Sequence, residues 1–157
     1  MIRAAREDDI GWILALSARH ETETSPLDAD KLRAMMAASW ATHVFDDRGG
    51  YLIVFDETGA YDSVNFRWFC ARYPTFLYVD RIVVAETARG EGRARRFYED
   101  LTERARGAGF PLIACEVNLA PPNPGSDAFH AKLGFHEVGR AELDAGKAVR
   151  YLTRAID

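Results

Sequence analysis

Arg89-Gly90-Glu91-Gly92-Arg93-Ala94 stands between a largely apolar run at 76–84 and an amphipathic segment at 93–106. In the run, alternation places Tyr78, Asp80, Ile82 and Val84 on one face and Leu77, Val79, Arg81 and Val83 on the other. Both faces are mainly apolar, which predicts a buried central strand. In the segment, Ala94, Phe97, Tyr98, Leu101 and Ala105 recur at helical spacing and form one core-facing stripe. A glycine-rich turn from strand to helix offers backbone N–H groups without intrahelical partners, at the positive end of the helix dipole. Phosphate oxygens bind at such places. Gly90 and Gly92 let the backbone approach a pyrophosphate with no Cβ in the way. Arg89 and Arg93 are positioned in sequence to add charge-assisted hydrogen bonds, and Glu91 is expected to face solvent. Arg95 and Arg96 read as a solvated helix face, and Asp100 with Arg104 as a surface i,i+4 pair.

Working outward, residues 2–5 suit a short first strand. Asp8 or Asp9 suits the cap of a helix carrying Ile10, Ile13, Leu14 and Ser17. A polar stretch at 21–25 breaks that pattern. Pro26 and Asp28 then start a second helix with Leu32, Met35, Met36 and Trp40 on its apolar side. Strands at 43–45 and 51–55 join through Asp46-Asp47-Arg48-Gly49-Gly50, a hairpin turn. Residues 58–74 read as a loop entering a short helix through Tyr73. After the 93–106 helix, stopped by Gly107 or Gly109, comes a strand at 112–118. Asn123 suits a cap for a short helix with Pro124 at its first position, anchored by Phe129 and Leu133 and stopped by Gly134. Two strands, at 135–142 and 148–156, close the chain. Two-fold and helical periods in this order predict an α/β (α+β) fold, a mixed sheet with helices on both faces.

The 157 residues suit one domain, 1–157, with room for a core. The formal net charge of −4 argues against nucleic-acid binding and favours a cationic over an acidic acceptor. No apolar run approaches the ~20 residues of a membrane span, and the first residues lack an apolar leader. A cytoplasmic location is expected, with Cys70 and Cys115 as reduced, small core hydrophobes. His20, His43, His130 and His136 show no metal-ligand spacing, so no metal is expected.

Two motifs in these elements resemble the GNAT superfamily of acetyl-CoA-dependent N-acetyltransferases. The family's pyrophosphate loop, R/Q-x-x-G-x-G/A, is matched by Arg89, Gly92 and Ala94. Its second signature, an Asn seven residues before an aromatic or polar position that leads to x-x-x-G-F, is matched by Asn123, Phe129-His130 and Gly134-Phe135. Three strings also resemble a bacterial group of predicted acetyltransferases without assigned substrates. They are Tyr61-Asp62-Ser63, the whole 76–84 run, and Cys115-Glu116-Val117-Asn118 with Asn123-Pro124-Gly125-Ser126.

The resemblance implies a mostly antiparallel central sheet splayed between its two central strands. It implies acetyl-CoA (CoA) as cofactor, its pantetheine arm beside Ile82, Val83 and Val84 and its pyrophosphate on Arg89, Gly90, Glu91, Gly92, Arg93 and Ala94. Asn123 and Ser126 would cap their helix and contact the arm. Backbone N–H groups at the splay would stabilise the oxyanion of acyl transfer. The acceptor would be an amine of a small molecule, amino acid or peptide, attacking directly in a ternary complex. A homodimer is common in the superfamily, and no interface patch is diagnostic here.

Many relatives carry an acidic Tyr where this chain has His130, which either protonates the leaving sulfur or packs against cofactor. Asp80 and Glu116 are candidate bases. Each is a carboxylate on an apolar strand, and such a group needs a partner such as Arg81 or Arg150, or a wet cleft. A water chain is the other route for the proton. Tyr61, Asp62, Asn65, Arg67 and Trp68 are candidates for the acceptor pocket. A non-catalytic acyl-CoA-binding sensor or regulatory module is the rival reading.

Overall fold

The computed structural model describes residues 1–20 and 26–157, so the polar break expected at 21–25 lies outside the described residues. In chain order the elements are β1 (Ile2–Ala4), α1 (Ile10–Ala18), α2 (Ala29–Ala38), β2 (Ala41–Phe45), β3 (Gly50–Asp56) and α3 (Val64–Cys70). They continue with β4 (Leu77–Val84), α4 (Arg93–Ala108), β5 (Leu112–Ala120), α5 (Pro124–Lys132), β6 (His136–Glu142) and β7 (Ala148–Ala155). The strands form one seven-stranded sheet in the order β1-β2-β3-β4-β5-β7-β6. Its neighbours are antiparallel except β4 and β5, which run parallel.

Strand alternation sorts the core into two layers. Val44, Tyr51, Ile53 and Phe55 pack with the inward residues of α1, α2 and α3. Phe45, Leu52 and Val54 point the other way, onto Phe97, Tyr98, Leu101 and Ala105 of α4. Phe129 and Phe135 seal the α4 side. Helix ends follow local chemistry. Asp28 accepts from Lys31 N at 2.7 Å and Ser63 from Phe66 N at 3.3 Å, while Gly109 at φ 83° closes α4. In the β2–β3 hairpin the left-handed position falls on Arg48, at φ 64°. Gly50 is required for a different reason: a Cβ there would lie 2.7 Å from the Val83 carbonyl oxygen.

Two expectations are corrected. The alternation along 76–84 does not persist, because the β3 pairing shifts from Ile53↔Arg81 to Val54↔Val79 and leaves Asp80 as the extra residue of a bulge. Side chains beyond it change face: Tyr78 and Val83 share the α1–α3 layer, whereas Leu77, Val79 and Ile82 share the α4 layer. Cys115 is buried as expected, but Cys70 is exposed. On α3 the inward positions are Phe66 and Phe69, and the residue after Phe69 faces out. Among the described residues no helix is long and apolar enough to cross a membrane.

Candidate active site

The parallel contact between β4 and β5 extends over only Leu77↔Ile113 and Tyr78↔Ala114. Beyond it the strands diverge, and the gap is a cleft of about 270 Å³. Residues 79–84 form one wall, and residues 115–118 with Asn123, Ser126 and His130 form the other. His20, Arg89 and Tyr98 complete the lining. The sheet and the second signature thus bring together Asp80, Ile82, Val83, Val84, Arg89, Glu116, Asn123, Ser126 and His130. Gly90, Gly92, Arg93 and Ala94 line an adjoining groove that shares Val84 and Arg89 with the cleft.

The groove and the β4 edge fit acetyl-CoA. Gly90 and Gly92 take φ of 84° and 70°, which suits glycine, and open space surrounds the position of a Cβ on each. Gly92 begins α4 without a side-chain cap, so the first N–H groups of a 16-residue helix remain for an anion. Beside them, Ile82, Val83 and Val84 pair with β3 on one edge and present their other edge to the cleft, as a peptide-like arm requires. Arg93 lines the groove, but its guanidinium is committed elsewhere. It donates to both Asp47 oxygens at 2.6 Å and to Glu91 at 3.1 Å, with its guanidinium over Phe45. It therefore ties the loop to the β2–β3 turn, and Glu91 is exposed as expected.

Glu116 is a carboxylate strongly altered by its surroundings. Tyr78 Oη donates to Oε1 at 2.9 Å and Oε2 at 2.7 Å, and Asn65 Nδ2 donates to Oε1 at 3.2 Å. Burial and the nearby Asp80 charge push its pKa up to about 8, against the pull of those two donors. Arg150 does not reach it, being paired with Asp127 and, at 3.5 Å, with Glu137. Asp80 accepts from Tyr61 Oη at 2.8 Å and pairs with Arg81 at 3.5 Å. Burial raises its pKa also, opposed by Tyr61 and Arg81.

His130 is buried with both ring nitrogens engaged. Nδ1 lies 2.8 Å from the Ser126 carbonyl oxygen, and Nε2 lies 3.1 Å from Tyr98 Oη. Nδ1 must donate to a carbonyl, so Nε2 accepts from Tyr98 in the neutral ring. Burial lowers the imidazole pKa and maintains that state. Asn123 caps α5 by accepting from Ser126 N at 3.3 Å.

The acceptor-pocket candidates separate. Tyr61 stacks on Phe55 at 4.2 Å and holds Asp80. Asn65 holds Glu116. Asp62 is 88% exposed and paired with Arg67 on the surface, outside the cleft lining. Trp68 stacks on Tyr151 rather than lining the cleft. Tyr78, Tyr98, Tyr151 and His20 are additional polar groups in or behind the cleft. Tyr151 comes opposite Glu116 through β5–β7 register, which no local pattern displays; Tyr78, two residues before Asp80, was within reach of the strand reading.

Residues 13–135 match the Acetyltransferase (GNAT) family. The chain is 32% identical over 144 residues to an aminoglycoside N(6′)-acetyltransferase type 1 of Serratia marcescens, covering 89% of this chain and 94% of that protein. It is 30% identical over 88 residues to the L-2,4-diaminobutyric acid acetyltransferase of Wolinella succinogenes, covering 56% of this chain and 48% of that one. The fold matches Ard1 from Thermoplasma volcanium with a TM-score of 0.78 at 13% identity, over 100% and 97% of the two chains. It matches yncA from Salmonella typhimurium with its cofactor acetyl-CoA at 0.71 and 17% identity, over 100% and 94%. With the splayed sheet, the uncapped glycine loop and these similarities in agreement, this chain belongs to the GNAT family of acetyltransferases, and acetyl-CoA is its acetyl donor.

Proposed function

We propose that residues 1–157 act as one catalytic unit that acetylates a primary amine on a small cationic acceptor bearing more than one amino group. Attack is direct, in a ternary complex, with Glu116 as the base. The observation that carries this reading is Glu116 itself: a carboxylate at the splay, held by neutral donors and raised toward neutral pH. A group titrating near the working pH is suited to take a proton from an ammonium or its amine. The amine nitrogen forms the new C–N bond, the thioester C–S bond breaks with its electron pair leaving on sulfur as the CoA thiolate, and the amine proton passes to Glu116. The β4 edge amides beside the cleft are suited to polarise the thioester carbonyl. Asp80 adds negative potential to the acceptor side, and the two relatives' names, an aminoglycoside and a diamino acid, describe polyamine acceptors.

The test is acceptor-dependent release of CoA thiol from acetyl-CoA, with L-2,4-diaminobutyrate and an aminoglycoside set against monoamines. Thermal unfolding with acetyl-CoA runs beside it, with Gly92→Asp as control. Ligand at ~100 times Kd adds about 2.7 kcal/mol to the native state, a rise of roughly 5–10 °C in a domain of this size. The control, with an anion in the phosphate loop, is expected to lose the rise. Stabilisation by acetyl-CoA without amine-dependent thiol release would instead support a binding module. Monoamines consumed as well as diamines would remove the polyamine element.

A further inference from the structure

Behind Glu116 lies a chain of contacts that runs along one face of the sheet to its β6 edge. Tyr151 Oη, from β7, donates to Asn65 Oδ1 at 2.8 Å. That bond orients the amide so that Nδ2 faces Glu116 Oε1, at 3.2 Å. Tyr151 is fixed in turn by Trp68, which stacks on it at 4.2 Å with the ring planes 19° apart. The Arg72 guanidinium lies 3.9 Å from the Trp68 ring centroid. β6 makes room for this stack with a glycine: a Cβ on Gly139 would lie 2.3 Å from Trp68. Gly139 sits where the β6–β7 register shifts, so the bulge and the missing side chain serve the same contact.

We propose that Asn65, clamped by Tyr151 and Trp68, is a positioning residue that holds Glu116 with one lone pair of Oε2 open to the acceptor amine. This rests on the reading of Glu116 as the base. An amide held by a tyrosine hydroxyl can present only its NH₂ to the carboxylate, and a donor of fixed orientation favours the ionised form. Asn65 occupies Oε1. The single Tyr78 hydrogen lies between the two oxygens, closer to Oε2. One lone pair of Oε2 is thereby left for a proton arriving from the cleft. Asp80 and Tyr78 on β4, Tyr61 in the loop before α3, Tyr98 on α4, Cys115 on its own strand and Tyr151 on β7 lie within electrostatic reach of Glu116. Of these, Asp80 opposes ionisation and Tyr78 supports it beside Asn65.

The test is a carboxyl ¹³C NMR titration of the full chain labelled at glutamate, the Glu116 resonance being the one lost in Glu116→Gln. Tyr151→Phe removes one hydroxyl, and Asn65→Leu removes the donor. Gly139→Ala pushes on Trp68 from outside. All three are expected to move the Glu116 midpoint upward, Asn65→Leu by about one pH unit, a tenfold fall in the ratio of ionised to protonated carboxyl. The base-dependent limb of kcat/KM for thiol release is expected to move with it, with activity recovered at high pH. A midpoint unmoved in folded Tyr151→Phe and Asn65→Leu, with Glu116→Gln inactive, overturns the positioning role alone. Undiminished thiol release by Glu116→Gln overturns the base reading, and the proposal with it.

Discussion

Tyr78 donates its one phenolic hydrogen toward both oxygens of Glu116, at 2.9 and 2.7 Å, from the last β4 position still paired with β5. The residue closing the sheet is therefore the one that holds the carboxylate where the sheet opens. A charged partner there would pin Glu116 as a permanent anion. A neutral phenol leaves it able to exchange a proton near neutrality, where burial and Asp80 have placed it.

Glu116→Gln is expected to lower kcat/KM by about 10²–10⁴-fold, the range of a lost general base. In the native chain, activity should climb through pH 8 as the base ionises and level off above it, because Glu116 titrates at about 8. Stability should run the opposite way. Folded Glu116 keeps its proton to about 8, whereas an unperturbed one releases it at 4.5. Between those values the native state binds more protons, so raising pH weakens the fold. The Tm advantage of Glu116→Gln over the native chain should accordingly be larger at pH 8 than at pH 5, as differential scanning calorimetry would read.

Asp80→Asn removes the like charge that helps raise Glu116. The activity limb should then move to lower pH, opposite in direction to Asn65→Leu. A pH series of kcat/KM on the two variants reads both signs, and movement in the same direction would count against the charge coupling.

Asp47 acts on the cofactor loop from outside it. Its two bonds to Arg93 hold the first residue of α4, and that pairing keeps the Asp47 carboxyl down at about 2. Asp47→Ala is expected to raise the KM for acetyl-CoA by about three- to tenfold while kcat changes less than twofold, since a loosened loop weakens binding before it alters the reacting atoms. Steady-state kinetics with varied acetyl-CoA decide it, and recovery in Asp47→Glu would identify the ion pair as the cause.

His130→Phe should cost stability more than turnover. The ring accepts from Tyr98, whose hydroxyl is buried with it. Removing the acceptor leaves a buried donor at a cost of about 1–3 kcal/mol, or roughly 2–12 °C in Tm at this chain length. A fall in kcat beyond tenfold with Tm unchanged would instead mark His130 as a proton donor.

The strand–loop–helix unit around Gly90 and Gly92, the α4 stripe and the α5 cap were readable because each is a local property: period, turn chemistry or capping within a few residues. The carboxylates were readable as a pair because a charge on an apolar strand calls for an explanation. Which face they occupy was not. The bulge at Asp80 reverses the parity of β4 beyond it, and a bulge is a property of the β3 pairing rather than of residues 76–84. Arg93 likewise lies within the loop and was expected to bond the phosphates, yet a carboxylate 46 residues away claims its guanidinium.

Residue types and spacings were thus sufficient for the element order, the mixed sheet and the family, because periodicity, capping and turn chemistry act between neighbours. Asn65 meeting Glu116, Tyr151 orienting Asn65, and Tyr98 taking the free nitrogen of His130 came from the packed molecule. Each joins elements distant in sequence, through the β5–β7 register and the packing of α3 and α4 on opposite faces of one sheet. Such contacts form only when the whole core closes, so no window of the chain carries their signal.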